Sequence, residues 1–141
     1  MKIRKATKKD FKEIAEILIK ESSKKPYNEK YTMKKAIKEI SGFSKNELYI
    51  SVNEKEIIGF IAFNINFSQK KAYVDELWLR PTHQGKGIGK ALVKFTEDRC
   101  KKKGVKIIRL VTMRKAKAFG FYKKIKYKEY KGLVFVEKKL K

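Results

Sequence analysis

The run Gln84-Gly85-Lys86-Gly87-Ile88-Gly89 is the part of the chain best suited to do chemistry. Its alternating glycines let main chain approach a bulky anion, and an amphipathic stretch from Lys90 to Lys103 follows. A helix starting there presents unpaired N–H groups and the positive end of its dipole, which together favour phosphate. Two better-known glycine motifs do not fit. A P-loop needs Ser or Thr after Gly-Lys, and here Gly89-Lys90 is followed by Ala91. A dinucleotide fingerprint spaces its glycines G-x-G-x-x-G after a first strand, whereas Gly85, Gly87 and Gly89 alternate and follow several strand-like runs. Gln84, Gly87 and Gly89, in the pattern Gln-x-x-Gly-x-Gly, read instead as a pyrophosphate cradle built from main chain.

Other reactive side chains stand near this run. Asp75 and Glu76 sit on the strand-like segment just before it. A regular strand points them to opposite faces, so at most one of them faces a shared cleft. Tyr122 lies on a later helical segment. His83, the only histidine, reads as a solvent-facing loop residue. Cys100, the only cysteine, has no partner for a disulfide and no neighbouring metal ligands, and reads as a helix-packing thiol.

The elements that must position these groups follow from periodicity and punctuation. Residues 2 to 6 read as a strand, and Thr7 with Asp10 begins a helix in which Phe11, Ile14, Ala15, Leu18 and Ile19 form one apolar stripe. Thr32 caps a second helix, stopped by Ser41-Gly42. Three strands follow as an antiparallel meander: Leu48 to Val52, Ile57 to Phe67 and Ala72 to Leu79. After the glycines come a helix ending at Gly104, a buried strand over Val105 to Val111 and a helix over Lys115 to Lys124. A closing hairpin, Tyr127 to Tyr130 with Leu133 to Lys138, turns around Gly132.

The 141 residues suffice for one domain, 1–141, with a real core. No apolar run is long enough for a membrane span or leader, so a cytoplasmic protein is expected. The net charge of +23 predicts nonspecific attraction of polyanions. Only five of the 38 basic residues are arginine, and the lysines are spread over the whole chain. That pattern fits a general lysine bias better than a dedicated nucleic-acid surface.

Two segments carry a resemblance to a known family. One is Leu77-Trp78-Leu79-Arg80-Pro81 with Gln84, Gly87 and Gly89; the other is Ala118-Phe119-Gly120-Phe121-Tyr122 with Tyr127. Together they resemble the GNAT superfamily of N-acetyltransferases, and the order of elements matches over nearly the whole chain. The resemblance implies an α/β fold whose central, mostly antiparallel mixed sheet splays between its fourth and fifth strands. It implies acetyl-CoA as co-substrate and no metal. Backbone groups of Leu77, Trp78 and Leu79 would pair with the pantetheine arm, and Gln84, Gly85, Lys86, Gly87, Ile88, Gly89 and Lys90 would hold the pyrophosphate. Tyr122 would protonate the departing thiolate. Asp75, placed slightly ahead of Glu76, would deprotonate the amine, although a bulge in that strand would change which carboxylate faces the cleft. Two departures stand out: Lys115 replaces a frequent asparagine, and Lys126 replaces the usual glycine before an aromatic.

The function so implied is direct acetyl transfer to a primary amine of a small molecule or protein, with the length of the acyl group left open. The alternative is a noncatalytic module on the same fold that binds acyl-CoA or, through its positive surface, nucleic acid. Acceptor specificity falls to the Lys25 to Tyr31 loop, the second helix and the closing hairpin. No compact acidic cluster is visible there, which ranks a polyamine acceptor below a protein amine or a small amino compound. Pairing of edge strands into a homodimer is a further implication of the resemblance.

Overall fold

A computed structural model describes residues 1–141. Its sheet has five strands in sequence order: β1 (Lys2–Lys5), β2 (Glu47–Asn53), β3 (Glu56–Asn66), β4 (Lys71–Leu79) and β5 (Ile107–Leu110). The first four pair antiparallel, and β5 joins β4 in parallel. The helices are α1 (Phe11–Ser22), α2 (Met33–Phe43), α3 (Ile88–Lys102) and α4 (Lys117–Lys124). No helix is long and apolar enough to cross a membrane.

Alternation along the central strands creates two cores, one on each face of the sheet. Leu48, Ile50, Phe60 and Ala62 meet Ile14, Ala15 and Leu18 of α1 and Ala36 and Ile40 of α2. Tyr49, Ile61 and Phe63 point the other way, onto Ile88, Leu92, Val93 and Cys100 of α3 and Tyr122 of α4. The helices therefore sit in pairs on opposite faces, and any ligand entering the sheet from its β5 side passes between the two layers.

The expected helix starts and stops are present with shifts. Lys8–Asp10 form a single 3-10 turn before α1, where Asp10 accepts from the Thr7 N–H at 2.7 Å and from both terminal nitrogens of Arg4 at 2.8 and 2.9 Å. Thr32 caps α2, accepting from the Lys35 N–H at 3.2 Å. Gly42 lies within α2 instead of ending it.

Two expectations need correction. β5 is an edge strand instead of a buried one: it covers only Ile107–Leu110, and Ile107 is 43% exposed, because β4 is its sole neighbour. The closing hairpin does not form. Residues 128–141 carry no strand, and Leu133, Val134, Phe135 and Val136 are exposed. A two-stranded ribbon is marginal unless something covers its apolar face. This segment is attached through side chains instead, with the Arg109 guanidinium 4.9 Å from the Tyr130 ring centroid and Arg114 Nη2 2.6 Å from Glu129 Oε1.

Lys126, the departure from glycine noted above, adopts the left-handed region with φ +77°. Its N–H donates to the Lys123 carbonyl at 3.1 Å, and the Tyr127 N–H reaches back to the Tyr122 carbonyl at 2.9 Å, the bonding of a helix-ending Schellman turn. That turn aims the Tyr127 hydroxyl at Glu97 Oε2, 2.9 Å away, and ties α4 to α3. A side chain at this φ is strained, so Lys126→Gly should stabilise the fold by about 1 kcal/mol. Urea unfolding should show a higher midpoint at unchanged slope. Lys126→Ala, which keeps the Cβ and loses the charge, should show no such gain.

Candidate active site

The site begins where β4 parts from β5. Their pairing runs from Lys71 with Ile107 to Val74 with Leu110 and then stops. At the same point β4 carries a bulge: Ala62 of β3 faces Glu76 and Phe63 faces Val74, leaving Asp75 as the extra residue. The bulge reverses the parity of the strand. Ala72 and Val74 pack on the α3 side, but so do Leu77 and Leu79, whereas Trp78 packs on the α1 side. Without the extra residue Glu76 would share a face with Val74. With it, Glu76 shares a face with Trp78, whose indole N–H donates to Glu76 Oε2 at 2.5 Å.

Beyond the bulge the separated strands enclose a cavity of about 440 Å³, walled by Val74 to Trp78 on one side and Leu110 to Met113 on the other. Tyr122 of α4 closes it from one layer, and Leu18 of α1 with Tyr27, Glu29 and Tyr31 of the α1–α2 loop close it from the other. The Tyr27 ring stands edge-on to Trp78, with centroids 4.8 Å apart. Past Val74, the β5-facing edge of Leu77, Trp78 and Leu79 has no strand partner.

The strand is held where it leaves the sheet. Arg80 Nε donates to the Ile57 carbonyl at 2.8 Å, and Glu13 Oε2 accepts from the Ile57 N–H at 2.8 Å and from Arg80 Nη2 at 3.4 Å. Gly59 permits the close approach of β3 and β4, since a Cβ there would lie 2.3 Å from Leu79 Cδ2 and 2.9 Å from the Trp78 carbonyl oxygen.

The glycine run then leads into α3. Gln84 Nε2 donates to the Leu79 carbonyl at 3.2 Å, so this side chain braces the turn from within. Gly87, with φ +82°, is the N-cap of α3, and the helix's first backbone bond runs from the Ala91 N–H to its carbonyl. The N–H groups of Gly87, Ile88, Gly89 and Lys90 consequently have no backbone acceptor. A Cβ at Gly85 or Gly87 would meet nothing within 4 Å, whereas one at Gly89 would lie 3.3 Å from Leu79 Cδ1, so the turn is open on its Gly85–Gly87 side and packed at Gly89. Lys86 and Lys90 are exposed beside it, while Ile88 and Gly89 are buried. Main-chain donors, open space and flanking ammonium groups fit a pyrophosphate.

The titratable groups differ sharply in environment. Burial pushes the Glu76 carboxyl up to about 7; the Trp78 indole opposes this, and the charges of Glu39, Asp75 and Glu29 add to it. Asp75 is exposed and accepts from Asn64 Nδ2 at 3.0 Å. Tyr122 is 6% exposed, and burial, then Tyr27 and Glu76, hold its hydroxyl well above the ordinary phenol range. Cys100 is buried, with burial raising its thiol to about 11, which leaves it a core residue of α3. His83 is half-buried, its Nδ1 2.9 Å from Thr82 Oγ1.

The structure thus brings Glu76 and Tyr122 to one cavity and leaves Asp75 at its outer side. The sequence assigned acceptor specificity to the Lys25 to Tyr31 loop, where the structure places Tyr27 and Glu29 in the cavity wall, but it gave Glu29 no role and did not single out Trp78 for its side chain. Their signal was faint: an aromatic and an acid in a loop whose distance from β4 in the sequence hides its contact with it.

Comparison with known proteins agrees with this geometry. The family model described as the acetyltransferase (GNAT) family matches residues 11–127. Among solved structures, a possible acetyltransferase from Clostridium difficile 630 superposes with a TM-score of 0.85 at 14% identity, covering 99% of this chain and 98% of that one. An aminoglycoside antibiotic 6'-N-acetyltransferase from Acinetobacter haemolyticus gives 0.80 at 13% identity, covering 100% of both chains. A ribosomal-protein-alanine N-acetyltransferase from Brucella melitensis biovar Abortus 2308 gives 0.75 at 17% identity, covering 97% of each. At these identities the likeness is one of fold. No curated protein matches the chain in sequence. The family match spans most of the chain and includes the separated strands, the glycine turn and α4, and the protein belongs to the acetyltransferase (GNAT) family.

Proposed function

We propose that the protein is an N-acetyltransferase that carries an acetyl group from acetyl-CoA to a primary amine by direct attack in a ternary complex. The observation that carries this reading is the cavity lined by both Glu76 and Tyr122, walled by the unpaired β4 backbone that leads on into the glycine turn. In this reading the N–H groups of Gly87 to Lys90, with Lys86, hold the pyrophosphate. The free edge of Leu77, Trp78 and Leu79 pairs with the pantetheine amides, and Gly85 and Gln84 shape the turn.

Glu76, not Asp75, takes the proton from the acceptor ammonium. A base is most effective when its pKa lies near the working pH, and Glu76 is raised to about 7 inside the cavity. The freed nitrogen attacks the thioester carbonyl while a β4 backbone N–H polarises the oxygen. Tyr122 then donates its proton to the departing sulfur. A phenol whose ionised form is disfavoured by burial stays protonated until a thiolate forms beside it, which suits an acid.

Calorimetric titration with acetyl-CoA, in salt high enough to screen loose attraction to lysine, should show saturable one-to-one binding. Gly87→Glu, strained at φ +82° and bringing negative charge to the cradle, should weaken it about tenfold or more. No saturable binding to the parent protein would remove the coenzyme site.

Turnover should rise with pH through about 7 as Glu76 ionises. Glu76→Gln should abolish that limb and lower kcat about a hundredfold or more. Trp78→Phe removes the hydrogen bond that favours the ionised carboxylate, so the limb should move to higher pH. A profile unmoved by either change would dismiss Glu76 as the base.

Tyr122→Phe should lower kcat about a hundredfold with the acetyl-CoA Kd unchanged. Equal losses in both quantities would make Tyr122 a packing residue.

A further inference from the structure

The wall of the cavity inverts the charge of the chain. Lysine and arginine supply 38 of the 141 residues against 15 carboxylates. Yet none of the 17 lining residues is Lys, Arg or His, and Glu29, Asp75 and Glu76 are all among them. None of these carboxylates is in an ion pair; Asp10, Glu13, Glu21, Glu47, Asp98 and Glu129 each have an arginine or lysine partner, and Glu16, Glu39, Glu54, Glu56, Glu97 and Glu137, outside the cavity, do not. Lys25 and Lys30, in the same loop as Glu29, are exposed and turn no charge into the cavity. One carboxylate is enough to deprotonate an attacking nitrogen. Glu76 is half-buried while Glu29 and Asp75 are exposed, and with no cationic side chain in the wall the three give the cavity a negative field that favours a cationic ligand. Between the carboxylates the wall is Leu18, Tyr27, Tyr31 and Trp78, apolar enough for an alkyl chain and with ring faces that attract cations.

We propose that the acceptor is an aliphatic primary amine carrying a second cationic group, a linear diamine or polyamine, held at its far end by Glu29 beside Tyr27 and Tyr31. This rests on the transfer reading above and narrows it. It also reverses the ranking drawn from the sequence, because Glu29 and the Asp75–Glu76 pair are distant in the chain and form one wall only after folding.

The reaction balances for such a substrate. The reacting ammonium gives one proton to Glu76. A C–N bond then forms as the C–S bond breaks, Tyr122 gives its proton to the sulfur, and the second proton shed by the nitrogen restores the Tyr122 hydroxyl. The products are an amide, the coenzyme thiol and one net proton. The acetylated product carries one cation fewer than the substrate, so the same wall holds it less tightly and favours its release.

The test compares diaminobutane with butylamine, titrated calorimetrically into the protein saturated with coenzyme A at fixed ionic strength. Diaminobutane should bind about tenfold tighter or more, and Glu29→Gln should remove most of that advantage while leaving acetyl-CoA affinity unchanged. Equal affinities, or an advantage that survives both Glu29→Gln and Asp75→Asn, would overturn the proposal. Thiol release from acetyl-CoA with each amine tests the transfer reading separately. Turnover without a dication preference would sink this inference alone, and a dication preference without thiol release would sink the transfer reading, leaving a dication-binding cavity with no acceptor role.

Discussion

A strand that has lost one neighbour exposes a row of unpaired N–H and C=O groups, and β4 is in that condition from Asp75 to Leu79. Such an edge must find other partners or face water. Here it faces a cavity between two helical layers, so its groups are available to an extended ligand with amides of its own. The bulge at Asp75 and the end of β5 pairing coincide at Val74. The end of pairing frees the backbone edge beside the cavity, and the bulge turns Glu76 to the side where Trp78 and Tyr27 stand. The clamp of Arg80, Glu13 and Ile57 and the missing side chain at Gly59 keep the freed strand on β3, so that separation from β5 does not spread.

The charge distribution follows a similar logic. Lysines cover the outside, and two of them flank the glycine turn, where an anionic coenzyme would sit. The cavity wall excludes every cationic side chain and collects unpaired carboxylates. A substrate pair of opposite charge would be drawn to different ends of one groove, each by the field suited to it. The same separation limits self-neutralisation: a lysine folded into the cavity would pair with Glu76 and neutralise its carboxylate.

Much of this was legible in the sequence because it depends on local chemistry. The glycine turn, the caps at Thr7 and Thr32, the apolar stripes and the position of Tyr122 on a short helix are all set by neighbours within a few residues. What was not legible depends on contacts distant in sequence. A bulge is a mismatch between two strands and leaves no mark in either, so the choice between Asp75 and Glu76 stayed open. The loop carrying Tyr27 and Glu29 reaches β4 only through the packing of α1 and α2 on the sheet. The run from Leu133 to Val136 has the composition of a buried strand, yet no backbone partner reaches it, so composition alone misread it.

Two carboxylates in this chain show how burial and partners divide structure from function. Asp10 accepts from Arg4 and from the Thr7 N–H, which hold it near 2, below its ordinary value of 3.8. Its contribution to stability is therefore present above about pH 4 and is lost as pH falls through 2. Glu76 runs the other way. Its pKa is raised from 4.5 to about 7, so the folded state binds that proton more tightly than the unfolded chain does. The stability associated with the protonated form is complete below about 4.5 and is lost as pH rises through 7, a loss on the order of 3 kcal/mol. The fold therefore holds Glu76 against its own stability at neutral pH. A carboxylate kept in a cavity without a lysine, in a chain with lysines to spare, is better explained by what it does to a substrate than by what it does for the fold.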